Sequence, residues 1–491
     1  MLSFLNSVAT GIAMPDLEHP DLSLETGFPD FSALVSHALT LLGRYNDDIR
    51  QGSFAPFQPM DAEALQSAAE LGLPAGWDDL KLWDLCTQGV NANHPGYMAD
   101  IPGGGLLLSA LGDLLTSGVN RWPGLYPGAP GLLEIEKNLL LWMCSMFGMP
   151  EGAGGVFTSG GSLANFSAVH VARVNLLSEQ TASRAVIYAS DQCHHSVVKA
   201  ARMAGFYDSH IVSLPTDALG RTDLQALRDQ LATDVAADRV PFFMVASAGT
   251  TRTGAVDDLP AMRRLAVDYG CWLHVDAAWA GSFVMTERGR SAMAGIGEAD
   301  SITIDPHKAF WTAWGSGALL VKQPATLKAA FDVDADYLPF ADADELMLNP
   351  SVISPELSRN ARGLQLWLPL KLAGEQAFVN CLNEKLDLAE WAAETLRPVP
   401  ALSVPDWPLL GICCFALGSE ADVAAANHLT QQLIDTVNED GRVVISGAHL
   451  HGRLYARLAP LQFKTHKEHV ATALALITQA VEQLTTEVAT S

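Results

Sequence analysis

The chain has 491 residues, of which 49% are hydrophobic and only 17% charged, so an intrinsically disordered chain is excluded and there is apolar material for roughly two to four lobes. Lys and Arg total 30 against 55 Asp and Glu, a formal net charge of -25. Such a surface repels phosphate backbones and anionic lipid, which argues against nucleic acid or a membrane surface as a partner. An anionic small molecule would need a local positive site.

No Lys or Arg precedes Arg44, and no apolar run approaches about 18 residues, so neither a leader nor a membrane span is expected and a cytoplasmic protein is. Residues 1–85 mix amphipathic helical patterning, at 31–49 and 61–69, with breaks such as FAPFQPM. This reads as a helical dimerisation arm, and the low charged fraction also predicts surface buried between subunits. From 86 to 375, AVIYASDQ, FFMVASAGTT, WLHVDAAWAG and SITIDPHK each read as a buried strand whose carboxyl end turns polar. That pattern predicts a large α/β lobe with its ligand beyond the carboxyl ends of parallel strands. A long helix is predicted from about residue 361. Residues 376–491 then alternate a helix (AAANHLTQQLIDTVNED) with strands (RVVIS and RLYARLAPLQF), a small α+β lobe. The seven cysteines, Cys86, Cys144, Cys193, Cys271, Cys381, Cys413 and Cys414, lack CxxC spacing, which favours reduced thiols over disulfides or zinc. The pairs His194/His195 and His466/His469 lack acidic or thiol partners at ligand spacing, so no metal is expected.

Four segments carry candidate chemistry. TSGGSLAN, residues 158–165, precedes a helix, and its glycines and the hydroxyls of Ser159 and Ser162 suit a phosphate; alone it equally suits a serine-capped turn. It is neither a Walker loop nor a GxGxxG fingerprint, which removes support for a nucleotide-dependent oxidoreductase. The triplet Asn165, Phe166, Ser167 matches a glycosylation sequon but falls inside the helix and is set aside. SDQCHHS, residues 190–196, puts a histidine at a strand end, able to stack on a flat ligand or to be a solvated neighbour of a helix cap. Asp276 ends a strongly hydrophobic strand, where a carboxylate needs a cation that no neighbouring residue supplies. Lys308, 32 residues later in TIDPHKAFW, could be an ion-pair partner, a phosphate ligand or a Schiff-base amine. Together the four converge on a ring that bears a phosphate, an aldehyde and a basic nitrogen.

With HPGYMADIPGGG near the start and SGAHLHGRLYARLAPLQF near the end, these motifs resemble the group II pyridoxal-phosphate-dependent amino acid decarboxylases, over most of the chain. The resemblance implies an α/β fold of the type I pyridoxal-phosphate class, aspartate aminotransferase-like, with a mostly parallel sheet, a small C-terminal α+β domain and an N-terminal helical arm. It implies pyridoxal 5'-phosphate as cofactor, an L-amino acid as substrate, an amine and CO2 as products, and a homodimer with its active site at the subunit interface.

By the same resemblance Lys308 holds the cofactor as a Schiff base, Asp276 pairs with its ring nitrogen, and His194 stacks on the ring. Thr251 sits by the ring's polar edge and Ala278 beneath it. Gly161 and Ser162 cradle the phosphate, with Asp305 and His307 close by. Tyr337, in DADYLPF, takes the place of the family's loop tyrosine, which protonates the α-carbon after CO2 leaves; relatives with phenylalanine there tend toward aldehyde synthesis. Departures at Gly103, Trp279, Ala309 and in SRNARGLQLW, which keeps Arg359 and Arg362, are expected near the substrate pocket. Trp122 and Tyr126 point to an aromatic or apolar substrate. An aldehyde synthase, a transaminating relative and a non-catalytic cofactor-binding protein are the alternatives.

Overall fold

The computed structural model describes residues 31–51, 86–101, 104–333, 348–407 and 410–490. The chain divides into two compact units, 1–53 and 54–491. In the first, helix α1 (Phe31–Arg50) follows the amphipathic pattern, with Asn46 Nδ2 donating to the Leu42 carbonyl. The second patterned stretch, 61–69, lies outside the described residues.

In the second unit helices α2 (Leu107–Val119) and α3 (Pro130–Met146) lead into a seven-stranded sheet. Its strands are β1 (Gly154–Thr158), β2 (Ala185–Ser190), β3 (Ile211–Leu214), β4 (Val240–Ser247), β5 (Trp272–Asp276), β6 (Ser301–Ile304) and β7 (Gly317–Val321). They lie in the order β1-β7-β6-β5-β4-β2-β3, with only β7 antiparallel to its neighbours. The carboxyl ends of β1, β2, β4, β5 and β6 therefore share one edge.

The continuous apolar runs follow from burial on both faces. Along each strand the side chains alternate between two cores. Phe157, Tyr188, Met244, Val275 and Ile302 pack into one. Val156, Ile187, Phe243, Val245 and Leu319 pack into the other. Helices α4 (Gly161–Leu176), α5 (His195–Met203), α6 (Leu224–Ala236) and α7 (Leu259–Tyr269) follow β1, β2, β3 and β4 as crossovers. Asp223 and Asp258 cap α6 and α7 by accepting backbone N–H groups, and Gly270 ends α7 in the left-handed conformation.

The predicted long helix is two helices, α8 (Leu364–Ala373) and α9 (Glu375–Leu396). Pro369 lies inside α8, and Gly374, at φ +80°, turns the chain between them. A four-stranded antiparallel sheet follows, β10-β11-β9-β8, from β8 (Leu402–Ser403), β9 (Cys413–Leu417), β10 (Ser446–Leu450) and β11 (Arg453–Leu458). It packs on α9, α10 (Val423–Glu439) and α11 (Lys467–Thr490) around Phe415, Leu433, Leu458 and Ile477. The stretch RVVIS contributes only its serine to β10. All seven cysteines are free thiols. Among the described residues no helix is long and apolar enough to cross a membrane.

Candidate active site

A cavity of about 330 Å³ opens at the shared carboxyl edge of the parallel strands. Gly161, Ser162, His194, Thr251, Asp276, Ala278, Asp305, His307 and Lys308 all line it, so nine of the ten residues singled out from sequence meet in one place. The tenth, Tyr337, lies outside the described residues, as does Gly103.

Each wall is set by local structure. The turn after β1 must be glycine-rich because the strands behind it come close. A Cβ on Gly161 would stand 2.9 Å from Asp305 Oδ2, and one on Gly317 would stand 2.5 Å from Gly160 Cα. The helix starts at Gly161, so Ser162 sits in its first turn, where backbone N–H groups lack intrahelical partners. His194 is the cap of α5: its Nδ1 accepts the Ser196 backbone N–H at 3.3 Å and meets Ser196 Oγ at 2.7 Å. Burial pushes the His194 pKa below the usual histidine value, which keeps the ring neutral.

Asp276, at the end of β5, pairs in register with Ser247 on β4 and Thr303 on β6. Its Oδ1 accepts Ala278 N–H at 3.2 Å and its Oδ2 accepts Asn165 Nδ2 at 3.0 Å. Among the described residues no Lys or Arg forms an ion pair with this 8% exposed carboxylate. Lys308 follows β6 in a tight turn, its N–H donating to Asp305 C=O at 2.9 Å and its own carbonyl accepting Trp311 N–H at 3.0 Å. Lys308 Nζ lies 3.0 Å from Asp305 Oδ2. Burial also lowers the pKa of His307, whose ring lies 3.7 Å from the same oxygen. The Thr251 carbonyl accepts Arg457 Nη1 of β11 at 2.6 Å, tying this wall to the small sheet.

The remaining residues noted near the substrate pocket are placed as follows. Ala309 directly follows Lys308 and is 8% exposed, packed in the hydrophobic core. Arg359 and Arg362 are not available to a ligand: Arg359 is in a fully buried ion pair with Glu136, and Arg362 is bidentate on Glu356. Trp122 and Tyr126 do not line the cavity of the single chain; the Trp122 indole donates to Leu357 C=O. Trp279 does line it, with its indole N–H on Gly249 C=O.

Sequence reasoning missed Asn165, Ser196, His274, Ser301 and Thr303, which form the buried polar backing of Asp276 and His194. A signal existed in the alternation W-x-H-x-D on β5 and S-x-T on β6, which puts these polar residues on one face.

The cavity fits a phosphorylated pyridine aldehyde. It offers a glycine cradle at a helix start, a buried carboxylate with no Lys or Arg partner among the described residues, an amine, and a His307 ring whose buried Nδ1 has no partner among the described residues. Asp305, expected at the phosphate side, does lie against the glycine turn, its Oδ2 2.9 Å from where a Cβ on Gly161 would stand, and the same oxygen is 3.0 Å from Lys308 Nζ.

Comparison with known proteins agrees. The pyridoxal-dependent decarboxylase conserved domain matches residues 81–418. An aromatic-L-amino-acid decarboxylase of Bacillus atrophaeus is 30% identical, covering 87% of this chain and 91% of its own. A phenylacetaldehyde synthase of Arabidopsis thaliana is 28% identical, covering 79% and 82%. The crystal structure of Oryza sativa TDC with PLP and tryptamine shares the fold at a TM-score of 0.86 and 24% identity, covering 96% of this chain and all of that one. The chain belongs to the pyridoxal-dependent decarboxylase family, whose members act on amino acids with pyridoxal 5'-phosphate.

Proposed function

We propose that the protein converts an L-amino acid with an aromatic or apolar side chain to its amine and CO2. The observation that carries this is the meeting of Lys308, Asp276 and His194 with the glycine turn at one strand edge, in a chain whose curated relatives include an aromatic-L-amino-acid decarboxylase. When bound, pyridoxal phosphate supplies an electron sink for the pair left behind as CO2 departs.

The chain's own residues do the rest. Lys308 would be the amine that holds the cofactor aldehyde, with Asp305 3.0 Å from its Nζ. Asp276 would pair with the ring nitrogen and favour its protonated form. His194 and Ala278 would pack on the ring and Thr251 would stand by its polar edge. Gly161 and Ser162 would take the phosphate, with Asp305 and His307 close by. Tyr337 returns a proton to the α-carbon.

We further propose that residues 1–85 are a dimerisation arm, that 86–375 carry the cofactor, that 376–491 form the small lobe, and that two copies complete the site. The exposed face of α2 supports a dimer: Leu107, Leu111, Leu114, Leu115 and Val119 are all 41–58% exposed, while its Gly112 and Thr116 are buried against α8.

A second reading has its own support, because an aldehyde synthase stands among the relatives. Incubating the loaded protein with a panel of amino acids and identifying the products separates the two. Tryptamine, tyramine or phenylethylamine at one per CO2 supports decarboxylation. An aldehyde with ammonia and peroxide supports the second reading, and turnover confined to acidic or basic amino acids refutes the substrate class.

A further inference from the structure

The sheet face that packs on α4 is mostly apolar, with a polar stripe on β5 and β6. Trp272, His274 and Asp276 on β5 point to that face, as do Ser301 and Thr303 on β6, and Asn165 of α4 lies against them. Asn165, His274, Ser301 and Thr303 are each at most 1% exposed. Buried polar groups persist when each is partnered, and here the partners dictate where every hydrogen sits.

Two ends of the network have only one polarity. The Trp272 indole N–H can only donate, and it does so to Ser301 Oγ at 2.7 Å. The Asp276 carboxylate accepts, so the amide nitrogen of Asn165 faces it at 3.0 Å and the amide oxygen points away. That oxygen meets Thr303 Oγ1 at 2.8 Å and His274 Nε2 at 3.0 Å, and it can only accept, so both donate. Burial pushes the His274 pKa down to about 4, so the ring is neutral and its Nδ1 accepts the Ser301 hydroxyl at 2.7 Å. The second amide hydrogen of Asn165 goes to Ser196 Oγ at 2.9 Å. The Ser196 hydroxyl hydrogen is then left for His194 Nδ1 at 2.7 Å, which also receives the Ser196 backbone N–H. With two donors converging on Nδ1, the ring proton of His194 belongs on Nε2.

We infer that Asn165, supported by His274, is a positioning residue that joins Asp276 and His194 in one proton order, holding Asp276 as an anionic acceptor and His194 as a neutral ring with its proton on Nε2. The device gives a role to an asparagine buried in a helix whose buried face is mostly alanine and valine, Ala164, Ala168, Val171 and Ala172, with Ser167 the other buried polar side chain. Its effect on the cofactor rests on the reading above; the proton order does not.

Neutron diffraction from the cofactor-loaded protein at neutral pH tests the order directly. Deuterium is expected on Nε2 of both His194 and His274 and on neither Nδ1; density on His194 Nδ1 overturns the inference. If the chain does not take up pyridoxal phosphate, the functional reading fails, and the same map from the cofactor-free chain still decides the proton order. The positioning role is read from the pyridoxal phosphate Kd by visible absorbance. Asn165→Leu should raise it roughly tenfold, the loss of one hydrogen bond to a charged group, and His274→Leu by a few-fold, since His274 reaches Asp276 only through Asn165. His274→Gln, which keeps a donor for Asn165 Oδ1, should recover most of that loss. Wild-type affinity in Asn165→Leu, or His274→Gln no better than His274→Leu, overturns the role.

Discussion

Replacing Asp276 by Asn removes a charge while keeping the shape, and the structure separates two consequences. Asp276 accepts two N–H groups, from Ala278 at 3.2 Å and from Asn165 at 3.0 Å, on different oxygens. An asparagine has one oxygen to offer, so its NH2 end must face one of those donors and leave a buried hydrogen bond unmade. That costs about 1–3 kcal/mol of folding stability with or without cofactor. The lost anion matters only when the ring nitrogen is opposite. A hydrogen bond to a charged group contributes about 1.5–3 kcal/mol, so Kd for pyridoxal phosphate should rise roughly 10- to 150-fold. Urea unfolding of the cofactor-free variant reads the first effect, and absorbance titration with pyridoxal phosphate reads the second. CO2 release at saturating cofactor should fall by at least the same factor, because an unprotonated ring is a poorer electron sink. A Kd within threefold of wild type, with CO2 release preserved, would refute the placing of Asp276 opposite the ring.

Other outcomes follow from particular contacts. His274 has its pKa lowered from about 6.5 to about 4 by burial, so below pH 6.5 the unfolded chain takes up a proton that the folded chain refuses. Stability should therefore be undiminished above pH 6.5 and fall by about 2 kcal/mol by pH 5; wild type minus His274→Gln in urea unfolding at pH 7 and 5 isolates it, and a pH-independent difference contradicts it. Glu136→Ala leaves the fully buried Arg359 guanidinium without its counterion, at a cost of about 3–5 kcal/mol, and a urea midpoint equal to wild type would sink that estimate. Leu114→Glu with Leu115→Glu should convert a dimer to a monomer in light scattering, and an unchanged mass would remove α2 from the interface. Borohydride reduction followed by peptide mapping should find the pyridoxyl phosphate mass on Lys308; its appearance on another lysine would displace Lys308 from its role.

Much of the site was legible because strand ends are marked by a change from apolar to polar residues, as at Asp276 and Lys308. The sheet was legible in part. Strands β1 and β7 were not anticipated: β1 is short and opens on two glycines, although its end at Thr158 runs into the TSGG turn, and GALLV carries no polar end. The break between α8 and α9 was hidden because apolar periodicity continues across Gly374. Closeness in sequence to Lys308 or to a family motif does not say which way a side chain turns: Ala309 packs into the core and Arg359 pairs with Glu136. Asn165 was overlooked because a lone asparagine on a helix gains meaning only from the β5 and β6 side chains beneath it, more than 100 residues later.

The ratio of amine to CO2 formed from an aromatic L-amino acid by the loaded protein, with Lys308→Ala measured alongside, tests decarboxylation through Lys308 most directly. A ratio of one in the wild type and no product in the variant is the expected result. CO2 without amine, or undiminished turnover in Lys308→Ala, would contradict it.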